Sequence, residues 1–98
     1  MNLRKKVLKN KEKIEVFFVD DNDLKQGKST IFYNKKDEVV ELEYLDGNMH
    51  GYCFVKNKKG DIIKEERWWH GYFCKDKEKF KKLMTEFRLE MIDKKYEF

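Results

Sequence analysis

The chain has 98 residues, enough for one domain with a single modest core, since a chain of this size buries roughly 60–65% of the surface its unfolded form exposes. Its 40% apolar and 43% charged residues exclude a disordered composition and require nearly every exposed position to be ionised. No stretch approaches the ~20 apolar residues of a membrane span, and no apolar run follows the basic start "MNLRKKVLKNKEK", so a cytoplasmic protein with no membrane partner is expected.

The net charge is +4, with lysine outnumbering arginine 20 to 3 and neither alanine nor proline present. An AT-rich genome favours that usage, so the basic pI alone is a poor argument for nucleic acid. Residues 1–13 carry six basic residues and one acidic, and alternate at neither the strand nor the helix period. They read as a basic N-terminal arm in which Leu3, Val7 and Leu8 form at most a short helical turn. Residues 14–55 carry four basic residues and nine acidic ones, an acidic middle.

"IEVFFV", residues 14–19, is dense in β-branched and aromatic residues and reads as a strand leading into the turn-rich "DDNDLKQGK". Asp20 to Asp23 lack the glycine and the later glutamate of a calcium loop and read as a solvated turn. "STIFY" is the next strand. "VVELEYL" then alternates with period 2, Val40, Leu42 and Tyr44 against Glu41 and Glu43, the pattern of a half-buried antiparallel strand. "DGN" at 46–48 is a hairpin turn, because Asp-Gly tolerates positive φ. Strands over 49–55 and 62–69 follow, separated by "NKKGD". From Asp76 the period changes: Phe80, Leu83, Met84, Phe87 and Met91, bordered by Ile92, form one stripe of an amphipathic helix with Asp76 as N-cap.

The expected fold is therefore α+β and single-domain: an arm over 1–13, an antiparallel β-sheet of five or six strands over 14–74, and a helix over 76–95 packed on one face of the sheet.

Sliding the chain on itself by 23 positions lays "FYNKKDEVVELE" over "VKNKKGDIIKEE", a strand, turn and strand occurring twice, while a slide of 20 aligns His50-Gly51-Tyr52 with His70-Gly71-Tyr72. With "EYLDGNMHG", "NKKGDIIKEE" and "WWHG", residues 27–73 resemble the MORN repeat in its bacterial, antitoxin-associated variant. The resemblance implies β-hairpins stacked into a continuous antiparallel sheet that serves as a protein-binding surface, or in some cases a lipid-binding one. Asp37 in place of the turn glycine, "RWWHG" in place of Y-x-D-G, and only two units are departures from that pattern.

His50, Cys53, His70 and Cys74 are the right elements for a Cys₂His₂ zinc site, but His50 and Cys53 stand three apart on a strand and point to opposite faces. They read as structural histidines and free cysteines, with no metal and no cofactor expected. Glu41, Glu43, Glu65 and Glu66 read as a solvated face rather than an acid–base pair. No Gly-rich phosphate loop or serine elbow is present, so no enzyme and no catalytic residue is expected.

Adjacent Trp68 and Trp69 must point to opposite faces, which leaves two outcomes open: both enter a core, or one is an anchor for a partner. Arg67, Trp68 and Trp69 with a rim of Lys58, Lys59, Lys64, Glu65 and Glu66 are the candidate partner-binding residues. The expected function is a non-enzymatic protein-binding module. By analogy of size and type, it would be a small inhibitor of a larger enzyme or nuclease complex, of the antitoxin, immunity or phage anti-CRISPR kind. The alternative is nucleic-acid binding through Arg4, Lys5, Lys6, Lys9, Lys11 and Lys13 with exposed aromatics.

Overall fold

The computed structural model describes the backbone of residues 2–95 and the side chains of residues 2–88. Eight strands, β1 (Arg4–Lys9), β2 (Lys13–Val19), β3 (Gly27–Tyr33), β4 (Glu38–Leu45), β5 (Asn48–Met49), β6 (Gly51–Asn57), β7 (Ile62–Trp69) and β8 (Tyr72–Phe73), precede one helix, α1 (Lys77–Lys95). All pairings are antiparallel. The sheet runs β1-β2-β3-β4-β6-β7-β8, with β5 paired to β4, so neighbours in sequence are neighbours in space. Five or six strands were expected; two of the additional ones are the two-residue β5 and β8, and the third is β1.

Residues 27–49 and 51–73 are the same hairpin unit displaced by 24 residues. β3, β4 and β5 become β6, β7 and β8 at that shift, and the registers follow: Ser29↔Leu42 becomes Cys53↔Glu66, and Tyr44↔Met49 becomes Trp68↔Phe73. The Asn-Lys-Lys turns repeat at 23 instead, and the register shift between Val55 and Lys56 absorbs the difference. Asp46-Gly47 (φ 50° and 84°) and His70-Gly71 (φ 45° and 87°) are the matching tight turns, both residues in the left-handed region. The two His-Gly-Tyr triplets are thus not equivalent: His70-Gly71 makes a turn, whereas His50-Gly51 interrupts the run from β5 to β6.

The segment expected as a basic arm is mostly a third hairpin, β1–β2, on the edge of the sheet. One rung crosses all three hairpins, Val7↔Val16, Val16↔Thr30, Thr30↔Glu41, Glu41↔Phe54 and Phe54↔Glu65. β1 is exposed throughout, which is why no alternation marks it in the sequence.

Directly paired residues share a face, so the registers define two faces. On one lie the buried Ile31, Leu42 and Cys53, surrounded by Tyr33, Val40, Tyr44, Met49 and Trp68. The other face is where α1 packs: Phe80 is fully buried there, 5.1 Å edge-on to the Tyr52 ring, and Phe87 lies against His50 and Trp69. Among the described residues the helix side chains therefore pack on β6, β7 and the His50 junction beside them, and the Ile31–Leu42–Cys53 cluster sits on the opposite face of the sheet. Asp76 caps α1, its Oδ1 accepting from the amides of Glu78 (3.0 Å) and Lys79 (3.1 Å). The Met91 and Ile92 side chains of the expected stripe lie outside the described residues.

Candidate protein-binding surface

β7 carries most of the expected contact residues and splits them between the faces. Lys64, Glu66 and Trp68 point to the side of the Ile31–Leu42–Cys53 cluster, while Glu65, Arg67 and Trp69 point toward α1. Neither indole stands free. Trp69 is clamped edge-on against Phe87 (5.8 Å) and tilted against His50 (4.5 Å), and Trp68 packs against Phe73 (5.6 Å) and the cluster, with its Nε1 buried. Arg67 is buried, one guanidinium nitrogen donating to the Lys75 carbonyl (3.3 Å), so it pins the entry to α1 and presents no free head group. Lys58 and Lys59 sit in the exposed β6–β7 turn, Lys58 paired with Asp37.

Lys64 and Glu65 are exposed on β7, but the exposed apolar residues beside them were not singled out in the sequence. Ile62 and Ile63 are 55% and 53% exposed, and on the neighbouring β8 Tyr72 and Phe73 are 77% and 46% exposed. β8 pairs only with Trp68 and Trp69, so among the described residues no strand pairs with the outer edge of Ile62–Glu66. The signal was available: Ile62-Ile63 matches Glu38-Val39 of the preceding unit in position, and among the described residues no further hairpin packs beside this unit to cover it.

The histidines and cysteines are held apart. His50 is buried and uses Nδ1 to accept from the His70 amide (3.0 Å), joining the β5–β6 junction to the β7–β8 turn, while its own amide donates to Glu43 O (3.0 Å). Burial, and then the nearby His70, hold the His50 pKa below its ordinary value. Cys53 lies on the opposite face, its thiol pushed up by burial and then by the charge of Glu66, and the Cys74 thiol donates to the Asp76 carbonyl. Among the described residues no three His, Cys, Asp or Glu side chains gather as a metal cluster would require.

One buried polar group had no advance sign. Glu15, 3% exposed on β2, accepts from Lys25 Nζ (3.1 Å), Ser29 Oγ (2.9 Å) and Tyr44 OH (3.3 Å), and so ties the first hairpin to the second. Burial is the largest single influence on Lys25 and would lower its pKa, but the bond to Glu15 and the charges of Tyr44 and Glu15 together outweigh it and the net shift is upward; Tyr44 is raised by burial and then by the Glu15 charge. Asp20, read as part of a solvated turn, is instead buried. It accepts from the Gln26 side chain (2.9 Å) and from the amides of Asn22 and Leu24, and these bonds lower its pKa.

No described helix is long and apolar enough to cross a membrane. Comparison with protein-family models, with curated proteins and with solved structures finds no match to this chain.

Proposed function

We propose that this chain is a non-enzymatic protein-binding module that receives an extended segment of its partner along the outer edge of β7. The observation that carries the reading is the pairing of an unpaired backbone edge over Ile62–Glu66 with four exposed apolar side chains, Ile62, Ile63, Tyr72 and Phe73. Such an edge is a template for strand addition: main-chain hydrogen bonds supply affinity and alternate side chains supply specificity. Lys58, Lys59, Lys64, Glu65 and Glu66 form its charged border and orient the partner. Trp68 acts from behind, as support for Phe73.

The hairpin sheet with its 24-residue period supports kinship with MORN-repeat proteins, and kinship and function belong to one proposal. The partner is a larger enzyme or nuclease complex that the module neutralises, in the manner of antitoxins, immunity proteins and anti-CRISPR inhibitors. The test is affinity capture from the native host's lysate with the parent chain and with Ile63→Glu/Tyr72→Ala, both exposed and therefore foldable. One enzyme captured by the parent, inhibited on titration and lost from the variant, supports the reading. Equal capture by both chains removes the β7 edge as the interface.

A further inference from the structure

The three long hairpins turn back at the same end of the sheet, and each turn opens with the same dipeptide: Asn10-Lys11, Asn34-Lys35 and Asn57-Lys58. The asparagines build the turns. Asn10 Oδ1 accepts from the amides of Glu12 and Lys13, and Asn57 Oδ1 accepts from those of Lys59 and Asp61. Asn34 instead reaches across, donating from Nδ2 to Lys11 O (2.9 Å) and from its amide to Glu12 O (2.9 Å), which locks the first turn to the second. Lys58 bridges to Asp37 (2.9 Å), holding the third turn to the second.

The result is a rigid comb. Successive turns are two strands apart, about 10 Å, so the row spans about 20 Å. Its exposed teeth are Lys11, Lys35, Lys36, Lys58 and Lys59, against the acids Glu12, Asp37 and Asp61. The opposite end of the sheet carries Asp20, Asp21, Asp23 and Asp46, with Arg4 paired to Asp23 and Lys25 to Glu15, and Lys5 and Lys28 one residue further in. A lysine-rich composition alone does not produce this segregation along the strand axis. Between the first two turns is an open cavity lined by Lys11, Glu12, Tyr33, Lys35 and Lys36, with Lys36 Nζ 5.7 Å from the centre of the half-buried Tyr33 ring.

We propose that this end of the sheet binds the phosphodiester backbone of single-stranded nucleic acid, with the lysines on successive phosphates and Tyr33 beside a base. Cations spaced along a line with an aromatic ring between them are the elements of single-strand recognition. A single row of turns, one sheet-layer deep, follows one backbone. This surface shares Lys58 and Lys59 with the border of the β7 edge but none of that edge's apolar side chains, Ile62, Ile63, Tyr72 and Phe73, so the Ile63→Glu/Tyr72→Ala variant should bind the oligonucleotide as the parent does. It also differs from a basic arm: in the hairpin, Arg4 is carried to the acidic end, and of the arm's other cations Lys11 is the one in the comb, with Lys9 and Lys13 on the strand ends beside it.

The test is fluorescence polarisation with a labelled 20-nucleotide oligothymidylate at 50 and 200 mM NaCl. Three neutralised phosphates predict about a twentyfold weakening over that salt range. Lys11→Glu/Lys35→Glu/Lys58→Glu should weaken binding at 50 mM by tenfold or more. Lys5→Glu/Lys79→Glu/Lys82→Glu, an equal change in net charge elsewhere, should alter it less than threefold; matching far-ultraviolet spectra establish that both fold. Equal loss in the two variants would reduce the effect to net charge and overturn the proposal, as would no binding at 500 μM. Competition by polyglutamate as effective as that by unlabelled oligonucleotide would assign the comb to an acidic protein instead, and would also overturn it.

Discussion

At the scale of single residues, stability is concentrated where hairpins are cross-tied by buried polar groups. Glu15→Ala removes the acceptor shared by Lys25, Ser29 and Tyr44. Breaking a buried pair from one side costs about 3–5 kcal/mol, and because Lys25 retains a path to solvent the expected loss is about 2–3 kcal/mol, measured by urea denaturation. Replacing Lys25 by Met in the Glu15→Ala background should restore part of it. His50 gives a pH dependence of known sign. Its folded pKa is depressed, so the unfolded chain takes up a proton first, and stability present above the ordinary value of 6.5 is lost as the pH falls through the lower folded value. The melting temperature should drop between pH 7 and pH 5, and His50→Phe should flatten that segment of the curve. Asp20 contributes the same sign in a separate window, below its ordinary 3.8. Both tryptophan truncations should destabilise, Trp69→Ala by uncovering Phe87 and Trp68→Ala by uncovering the Ile31–Leu42–Cys53 cluster, each by about 2–3 kcal/mol for a half-buried ring. A variant of either that melts like the parent would show that its ring does not pack as described.

At the scale of elements, what could be read beforehand follows from which elements keep a strict period. β4 alternates because Val40, Leu42 and Tyr44 join or pack against the buried cluster while Glu41 and Glu43 face the other way, and α1 is announced by Asp76 and by Phe80, Leu83, Met84 and Phe87. β1 was not legible, because an edge strand with every side chain in water has no reason to alternate; what orders it is pairing to β2 and cross-ties made by residues distant in sequence. The same holds for the candidate site. Arg67, Trp68 and Trp69 drew attention through residue type, yet their packing is decided by α1 and by β8, whereas Ile62 and Ile63 are exposed because the stack ends there. The helix also carries a prediction. Phe80 is fully buried and Phe87 only half, so Phe80→Ala should cost about 3–5 kcal/mol and Phe87→Ala about half of that. The reverse order in a melting experiment would mean that α1 docks through its later turns.

At the scale of the whole molecule, a thin sheet of repeated hairpins, 49 × 34 × 22 Å, leaves two kinds of periphery. Its turns form a lysine end and an aspartate end, and among the described residues two edges lack a strand partner, β1 and the Ile62–Glu66 part of β7 beyond the short β8. β1 is lysine-rich, a common guard against unwanted pairing, whereas the β7 edge is flanked by exposed isoleucine and aromatic side chains. The proposed function rests on that asymmetry: β1 carries lysines along its edge, and the β7 edge is the one proposed to take a protein strand. The proposal is tested most directly by amide hydrogen exchange on the chain alone and in complex with the partner that affinity capture is expected to identify. Alternate amides between Ile62 and Glu66 should slow by tenfold or more on binding, while those of Arg4–Lys9 stay at their free rates. Protection confined to β1, or to the face of the sheet with the β7 edge unchanged, would contradict the account.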